Sequence, residues 1–439
     1  MVDLGMQPLC ESFVTGDQVE QPEVFFPLHV RVCGNCFLAQ IGEFVAPEEI
    51  FDDYAYFSSY SMAWLKHAED YVDMMIERFS LDPSSRIMEI GSNDGYLLQF
   101  FMNRGFDVLG IEPASTVRAV AEEKGIPTVG EFFNEELAKS LDRGTYRADV
   151  IVANNVLAHT PDISGFVAGI PLVLSRDGVA TFEFPHLMRL MDENQFDTIY
   201  HEHWSYLSLG TVARVLDAHG LAVFDVEELW THGGSLRLFV KHEADASKPV
   251  LDSVGRLIER EREFGLFDLT TYERFGARVE KTKRGILQLL IDAKERGKSI
   301  VVYGAAGKGN TLLNYCGVGR DFIDYACDRN PYKHGRYTPG AHIPIFDPAR
   351  IAETKPDLIL ILPWNLKDEI MEQLFYVSDW GGRFVVPIPE ARIYKPASPA
   401  SLSRRGMFTS APSGGSTRIT SSTPRPPMSP RDRSWLRWR

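Results

Sequence analysis

The chain has 439 residues, 44% of them hydrophobic and 24% charged, which is enough for two or three globular cores and excludes a fibrous or mostly disordered protein. The formal net charge is −14, and because residues 396–439 carry eight arginines and one aspartate, the rest of the chain has a charge of −21. Such an acidic body argues against general nucleic-acid binding.

The first 55 residues form a predicted N-terminal module. They are rich in turn-forming residues and contain the close cysteine pair Cys33 and Cys36. Five cysteines in a chain of this length are too few for a disulfide framework, so we expect reduced thiols or a metal site.

Residues 56–244 are predicted to form a doubly wound α/β domain. A helix should begin after Ser61, which can cap it, because apolar residues then repeat at intervals of three and four. Strands alternate with helical patterns, as in a mostly parallel sheet, and the strand predictions are 86–90, 106–111, 148–153 and 179–184. Two further strands, 223–228 and 235–240, should close the sheet in antiparallel orientation.

The remaining sequence predicts a connector, a second α/β unit and a tail. Residues 245–298 are charged and helical. Residues 299–393 predict a second Rossmann-like unit, with strands at 299–303, 323–327 and 358–362. From 394 onward the chain is poor in large apolar residues, so we expect it to be disordered.

The loop after the first strand of the larger unit contains Gly91, Ser92, Asn93 and Gly95. Glycine lets the backbone approach a ligand where a strand turns into a helix. Glu112 ends the next strand, where a carboxylate can accept hydrogen bonds from both ribose hydroxyls. Asn93 stands where a dinucleotide site needs glycine beside the pyrophosphate, so the loop favours S-adenosylmethionine over NAD.

Two later strand ends offer further candidate cofactor contacts. Phe133 follows the third strand region and could stack on adenine, although core packing is equally compatible. Asn154 ends the fourth strand and could hold the methionine portion. A tight strand-to-helix connection that binds nothing also remains compatible with the glycine loop.

The densest group of polar side chains is the run Tyr200, His201, Glu202 and His203. In an extended segment the two histidines would share one side, whereas a tight turn would break that alternation. Alkylation at carbon needs a base beside a carbonyl and a donor for the enolate oxygen. Histidine, with an ordinary pKa of about 6.5, suits the base, and tyrosine, near 10, suits the donor. A purely structural role, and a His-x-His metal site completed from elsewhere, stay open.

The second α/β unit carries a glycine loop at 304–310 without Walker spacing. Lys308 could meet a phosphate at the start of the following helix, and Asp328 repeats the position of Glu112. Arg237 could bind a phosphate or pair with carboxylates. A substrate clamp and a nucleotide fold without ligand are both compatible with this pattern.

Several motifs, taken in order, resemble the sugar C-methyltransferases of deoxysugar biosynthesis: EIGSNDGYLL at 89–98, NNVLAH at 154–159, FDTIYHEH at 196–203, HGGSLR at 232–237 and GAAGKGN at 304–310. The resemblance implies a zinc-binding N-terminal module, a central domain that binds S-adenosylmethionine, and a C-terminal α/β domain that helps to hold a nucleotide sugar. The implied reaction is methylation at C3 of a dTDP-linked 4-keto-deoxysugar.

The resemblance also implies roles for individual residues. His203 matches the family's candidate base, and Tyr200, Glu202 and His159 match its companions. The family's zinc module has two Cys-x-x-Cys pairs, because structural zinc takes four ligands. Only the Cys33 and Cys36 pair is present, so we expect an incomplete zinc site and a recorded start that lies too late.

Together these features predict a cytoplasmic, monomeric methyltransferase whose partner is a nucleotide sugar, with no nucleic-acid or membrane partner. The chain lacks a secretory signal and any run of about 18 apolar residues. The alternatives are methylation of another nucleotide sugar or of oxygen, an NAD-dependent oxidoreductase, and a non-catalytic nucleotide-sugar-binding protein.

Overall fold

A computed structural model describes residues 1–51, 57–143 and 146–396. Most of the tail predicted to be disordered, 397–439, lies outside the described residues. Within the described ranges, no helix is both long and apolar enough to cross a lipid bilayer.

The strands, in chain order, are β1 (Val2–Gln7), β2 (Phe26–Val32), β3 (Ala39–Gln40), β4 (Arg86–Ile90), β5 (Asp107–Ile111), β6 (Thr128–Val129), β7 (Ala148–Asn154), β8 (Leu174–Pro185), β9 (Ser205–Tyr206), β10 (Leu221–Leu229), β11 (Ser235–His242), β12 (Ile300–Tyr303), β13 (Ala326–Cys327), β14 (Ile345–Phe346), β15 (Leu358–Ile361), β16 (Arg383–Val386) and β17 (Arg392–Tyr394). The helices are α1 (Pro47–Phe51), α2 (Met62–Phe79), α3 (Leu98–Asn103), α4 (Ser115–Glu123), α5 (Glu135–Arg143), α6 (Ile163–Val173), α7 (Leu187–Asp192), α8 (Leu209–Asp217), α9 (Asp252–Phe264), α10 (Leu269–Glu295), α11 (Gly307–Cys316), α12 (Arg350–Thr354) and α13 (Lys367–Gln373). Short 3-10 turns lie between several of these elements.

The central sheet has the order β10-β11-β8-β7-β4-β5-β6. Strands β4 to β8 pair in parallel, whereas β11 is antiparallel to both of its neighbours, which confirms the predicted antiparallel closure. Strands β5 and β6 follow β4 on one side of the sheet. Strands β7, β8 and the later pair lie on the other side, so the strand order reverses between β4 and β7. In such sheets ligands bind at the carboxyl ends of the strands where the order reverses, so the loops after β4 and β7 should line the site.

The second sheet has the order β14-β13-β12-β15-β16-β17 and is parallel except for β17. Its reversal point lies between β12 and β15, beside the start of α11. This confirms the predicted second α/β unit, although the strand expected at 323–327 contains only Ala326 and Cys327.

Local sequence signals explain the helix boundaries. Ser61 accepts a hydrogen bond from Trp64 N at 3.3 Å, which confirms the predicted cap of α2. The predicted helical connector is two helices, because Gly265 ends α9 with φ +95° and Asp268 then caps α10 by accepting from Thr270 N at 3.0 Å.

The N-terminal module packs into a core that it shares with the second sheet. Strands β1, β2, β3 and β9 form a four-stranded antiparallel sheet. Since β9 begins at Ser205, directly after the polar run 200–203, this sheet holds the end of that run. One continuous cluster joins apolar residues of this module, of 187–206, of α10 and of the second sheet. The polar run therefore borders the core that joins the N-terminal module to the second sheet.

Candidate active site

The loop after β4 has a backbone that two positions reserve for glycine. Gly91 has φ +69°, and an added Cβ would lie 2.4 Å from Val156 Cγ2. Gly95 has φ +75°, and its Cβ would lie 2.3 Å from Ile126 Cδ1. Both distances are shorter than any tolerable contact, so only glycine fits at these two positions. The loop conformation therefore depends on these glycines, which also open it to a ligand.

Glu112 binds this loop from the end of β5. Its carboxylate accepts hydrogen bonds from Asn93 N and Ala114 N, each at 2.9 Å. Burial raises the pKa of the carboxyl above its usual value. Each oxygen keeps a second lone pair, so the group can still accept from ribose hydroxyls.

The far wall of the crevice offers buried acceptors that a cofactor would satisfy. Asn154, at the end of β7, is 7% exposed, and its Oδ1 has no hydrogen-bond partner among the described residues. Its side-chain amide contacts the Tyr96 hydroxyl. Ser92 Oγ is likewise buried without a partner within the described ranges. A buried orphan acceptor costs about 1–3 kcal/mol, and the ammonium group of S-adenosylmethionine would relieve that cost. The residues present therefore fit this cofactor.

Phe133 packs into the core beside the crevice. Its ring meets Phe166 edge to face at a centroid distance of 5.3 Å and lies against Gly169 of α6. The side chain is 6% exposed. This arrangement favours the packing interpretation over adenine stacking.

The polar run 200–203 is a tight turn, the conformation that breaks the alternation of an extended segment. His203 N donates to Tyr200 O at 3.0 Å, which brings the first and fourth residues together. The Tyr200 and His203 rings consequently lie 4.2 Å apart, centroid to centroid. His201 is directed elsewhere and packs against Phe26 at 5.8 Å.

The surroundings of His203 define its protonation. Its Nδ1 lies 3.1 Å from Thr198 O, and a carbonyl can only accept, so Nδ1 carries the proton and Nε2 carries the lone pair. Burial, and then the neighbouring His159, lower its pKa well below 6.5. The imidazole is therefore neutral at neutral pH and able to accept a proton.

His159 connects this base to the cofactor loop. It follows β7 in the turn Leu157–His159, and its ring lies 4.6 Å from that of His203. Burial and the charge of His232 lower its pKa to about 4. Val156, three residues earlier, is the residue whose side chain packs against Gly91. The structure thus brings the predicted base beside the predicted cofactor site.

Glu202 faces the N-terminal module. Cys10 Sγ lies 3.6 Å from its Oε1. Burial, followed by the charge of Glu11, raises the pKa of Glu202 to about 7. Its backbone carbonyl, and not its carboxylate, contacts His159.

Lys308 reaches the same region from the second α/β unit. Its ammonium lies 4.6 Å from the centre of the Trp364 ring and donates to Asn365 Oδ1. Burial lowers the pKa of Lys308, while Asp197 opposes that shift. Burial lowers the pKa of His232, and the positive charge of Lys308 lowers it further. Lys308 therefore lies close enough to the catalytic region to meet a charged part of a substrate.

Arg237 is held in an internal ion-pair network. It is 5% exposed and contacts Glu183 at 3.0 Å and Glu227 at 3.2 Å. Although burial alone would raise it, hydrogen bonding from His67 and the charge of Arg237 keep the pKa of Glu183 below its usual value. This geometry favours the carboxylate-pairing interpretation over a phosphate contact.

Several residues of the site carried no sequence signal of their own. His67 on α2 reaches Glu183 at the end of β8, and Trp64 stacks on His67 at 5.0 Å. Glu183 could have been found from its place at a strand end beside the crevice. Asp197 and Trp364 could not, because they are far apart in sequence and meet only in the folded chain.

The residues of the N-terminal module do not fit a structural zinc ion. Backbone N–H groups of Cys36 and Asn35 lower the pKa of Cys33, as in a metal-binding turn. In residues 1–51, 57–143 and 146–396, however, no three histidine, cysteine or acidic side chains group closely enough to hold a metal. Cys10 lies at Glu202 instead. Two thiolates cannot supply tetrahedral coordination.

Three family models match successive parts of the chain. They are described as "Putative zinc binding domain" over 1–51, "Methyltransferase domain" over 64–226 and "C-methyltransferase C-terminal domain" over 230–389. The C-methyltransferase NovU of Streptomyces niveus is 34% identical over 393 residues, which cover 90% of this chain and 93% of the relative. The chain belongs to this C-methyltransferase family.

Solved methyltransferase structures resemble part of the chain. Magnesium protoporphyrin IX methyltransferase from Synechocystis PCC 6803, with bound S-adenosylmethionine, aligns with 46% of this chain and 99% of its own, at 12% identity and a TM-score of 0.34. An S-adenosylmethionine-dependent methyltransferase from Clostridium acetobutylicum ATCC 824 aligns with 44% and 95%, at 13% identity and a TM-score of 0.33. Likeness at this level adds nothing to the family assignment.

The family assignment confirms the predicted enzyme class. This C-methyltransferase is an S-adenosylmethionine-dependent enzyme with an α/β Rossmann-like fold, and its N-terminal part matches a zinc-binding domain. A NAD-dependent oxidoreductase and a non-catalytic binding protein no longer need to be considered.

Proposed function

We propose that this enzyme methylates C3 of a dTDP-linked 4-keto-deoxysugar, with His203 as the base. The observation that carries the proposal is the 3.1 Å approach of His203 Nδ1 to Thr198 O, which leaves Nε2 as the accepting nitrogen, in a ring that lies 4.6 Å from that of His159. The relative NovU is a C-methyltransferase, which supports carbon as the acceptor.

The proposed reaction needs one proton transfer and one methyl transfer. The C4 ketone acidifies the neighbouring C–H, and Nε2 of His203 takes that proton as an enolate forms. Tyr200, 4.2 Å from the imidazole, is placed to donate to the enolate oxygen. S-Adenosylmethionine supplies an electrophilic methyl group, so the protein's main tasks are deprotonation and alignment.

The low pKa of His203 is consistent with this role. Burial keeps the imidazole unprotonated before the substrate arrives. The substrate diphosphate and the developing enolate are both anionic, so they stabilise the imidazolium when it forms. The imidazole of His203 is thus unprotonated at neutral pH, and its pKa rises when the substrate is bound.

The remaining assignments form part of the same proposal. Gly91, Ser92, Asn93, Gly95, Glu112 and Asn154 would hold the cofactor, and Lys308 would meet the substrate diphosphate. His159 would support the imidazole. Residues 56–244 would form the cofactor domain and 299–393 the substrate clamp of a cytoplasmic monomer.

The substrate can be tested with dTDP- and GDP-linked 4-keto-6-deoxyhexoses. Because the ketone acidifies both C3–H and C5–H, the position of a 13C-labelled methyl group should be determined by NMR. We expect methylation of the dTDP sugar at C3. Methylation at C5, at oxygen or only of the GDP sugar would contradict the proposed specificity.

The base can be tested with His203→Ala. Turnover should be abolished, with a fall of at least about 10²-fold, because general-base catalysis typically contributes 10²–10⁴. Affinity for S-adenosylmethionine should stay within about twofold, since the imidazole is assigned to the sugar. Undiminished turnover would remove His203 from the mechanism.

A further inference from the structure

The turn that precedes the proposed base is anchored by the second α/β unit. Trp364 Nε1 donates to Asp197 Oδ2 at 2.7 Å, and both side chains are buried. Phe196 packs edge to face on Tyr315 of α11 at 5.6 Å. Residues 196–198 are therefore held by the C-terminal unit and not by the sheet proposed to bind the cofactor.

This anchor connects directly to the imidazole. Asp197 directly precedes Thr198, whose backbone N–H donates to Gln195 O at 3.1 Å within the same turn. The carbonyl of Thr198 lies 3.1 Å from His203 Nδ1. A shift of Thr198 would therefore remove the acceptor that keeps the ring proton on Nδ1.

The choice of tautomer matters for a base. A neutral imidazole has one nitrogen that donates and one that accepts. If the proton moved to Nε2, the lone pair would face Thr198 and the donor would face the substrate. The ring would then be in place but unable to accept a proton from it.

We propose that Trp364 and Asp197 are positioning residues for methyl transfer: their hydrogen bond holds the turn 196–198 where the Thr198 carbonyl fixes His203 with the lone pair on Nε2. This inference rests on the proposed role of His203 as the base. It gives the C-terminal unit a second task beside any contact with the sugar nucleotide.

The direct test is Trp364→Phe in the full chain, which keeps an aromatic ring but removes the indole donor. Trp380→Phe is the matched control, because Trp380 Nε1 donates to Pro356 O at 2.8 Å, also within the C-terminal unit. Protein labelled with 15N-histidine reports the tautomer of each imidazole, and the spectrum of a His203→Gln variant assigns the His203 signals.

We expect wild type and Trp380→Phe to show the proton of His203 on Nδ1. Trp364→Phe should gain the Nε2-protonated form. With a dTDP-4-keto-6-deoxyhexose as the probe, its kcat should fall on the order of tenfold, while its KM and the affinity for S-adenosylmethionine stay within about twofold.

Two results would overturn the inference. One is a wild-type His203 that carries its proton on Nε2, which is observed without turnover once the His203→Gln spectrum has assigned the signals. The other is a folded Trp364→Phe protein with unchanged tautomer and kcat. Full turnover in His203→Gln would instead defeat the proposed base, because the tautomer measurement does not depend on activity.

Discussion

Replacing Glu112 by glutamine should weaken cofactor binding by an amount that the geometry allows us to bound. The carboxylate accepts hydrogen bonds from Asn93 N and Ala114 N, and we propose that the ribose hydroxyls also donate to it. Glutamine keeps the shape but has one acceptor oxygen and no charge. A hydrogen bond to a charged group contributes about 1.5–3 kcal/mol, so losing one to ribose should weaken binding by about 10- to 150-fold.

Asp328→Asn is the matched control for this variant. Asp328 ends the corresponding strand of the second unit and accepts from Ala305 N and Asn330 N, each at 2.8 Å. Both substitutions remove a carboxylate that serves two backbone donors, so both should lower the free energy of unfolding by about 1–3 kcal/mol. Only Glu112→Gln should alter affinity for S-adenosylmethionine.

Isothermal titration calorimetry with S-adenosylmethionine and S-adenosylhomocysteine measures the affinities, and urea denaturation measures the stabilities. The two ligands share the ribose, so both should lose the same factor with Glu112→Gln. Unchanged affinity in this variant, or an equal loss in Asp328→Asn, would show that the ribose is not bound at the end of β5.

Two further predictions concern Glu202 and Lys308. Because burial raises the pKa of Glu202 to about 7 from 4.5, the folded state holds a proton that the unfolded chain has released, and stability should fall as pH rises through that window. Glu202→Gln should remove on the order of 3 kcal/mol of this pH dependence in denaturant titrations, and an unaltered slope would exclude Glu202 as its source. Lys308→Met should raise the KM for the dTDP sugar on the order of tenfold without affecting cofactor affinity, since one charge that faces the diphosphate is lost; an unchanged KM would place the diphosphate elsewhere.

Local conformation could be predicted where it depends on neighbouring residues. The glycine loop after β4 lies where a strand meets a helix, and its conformation follows from Gly91 and Gly95. The sequence left open whether 200–203 is extended or a tight turn, and the hydrogen bond from His203 N to Tyr200 O in the folded chain decides for the turn. Arg237 could not be assigned from sequence, since its partner Glu183 is 54 residues away.

The sequence by itself determined the family, the two α/β units and the choice of S-adenosylmethionine over a dinucleotide. The family follows from the resemblance of motifs such as FDTIYHEH at 196–203, the α/β units follow from local periodicity, and the cofactor follows from that resemblance and from single positions such as Asn93. Only the tertiary structure decided which nitrogen of His203 is protonated and that Trp364 holds the turn before it. Those features depend on contacts between Asp197 and a residue 167 positions away, which chain connectivity does not specify and only packing brings together.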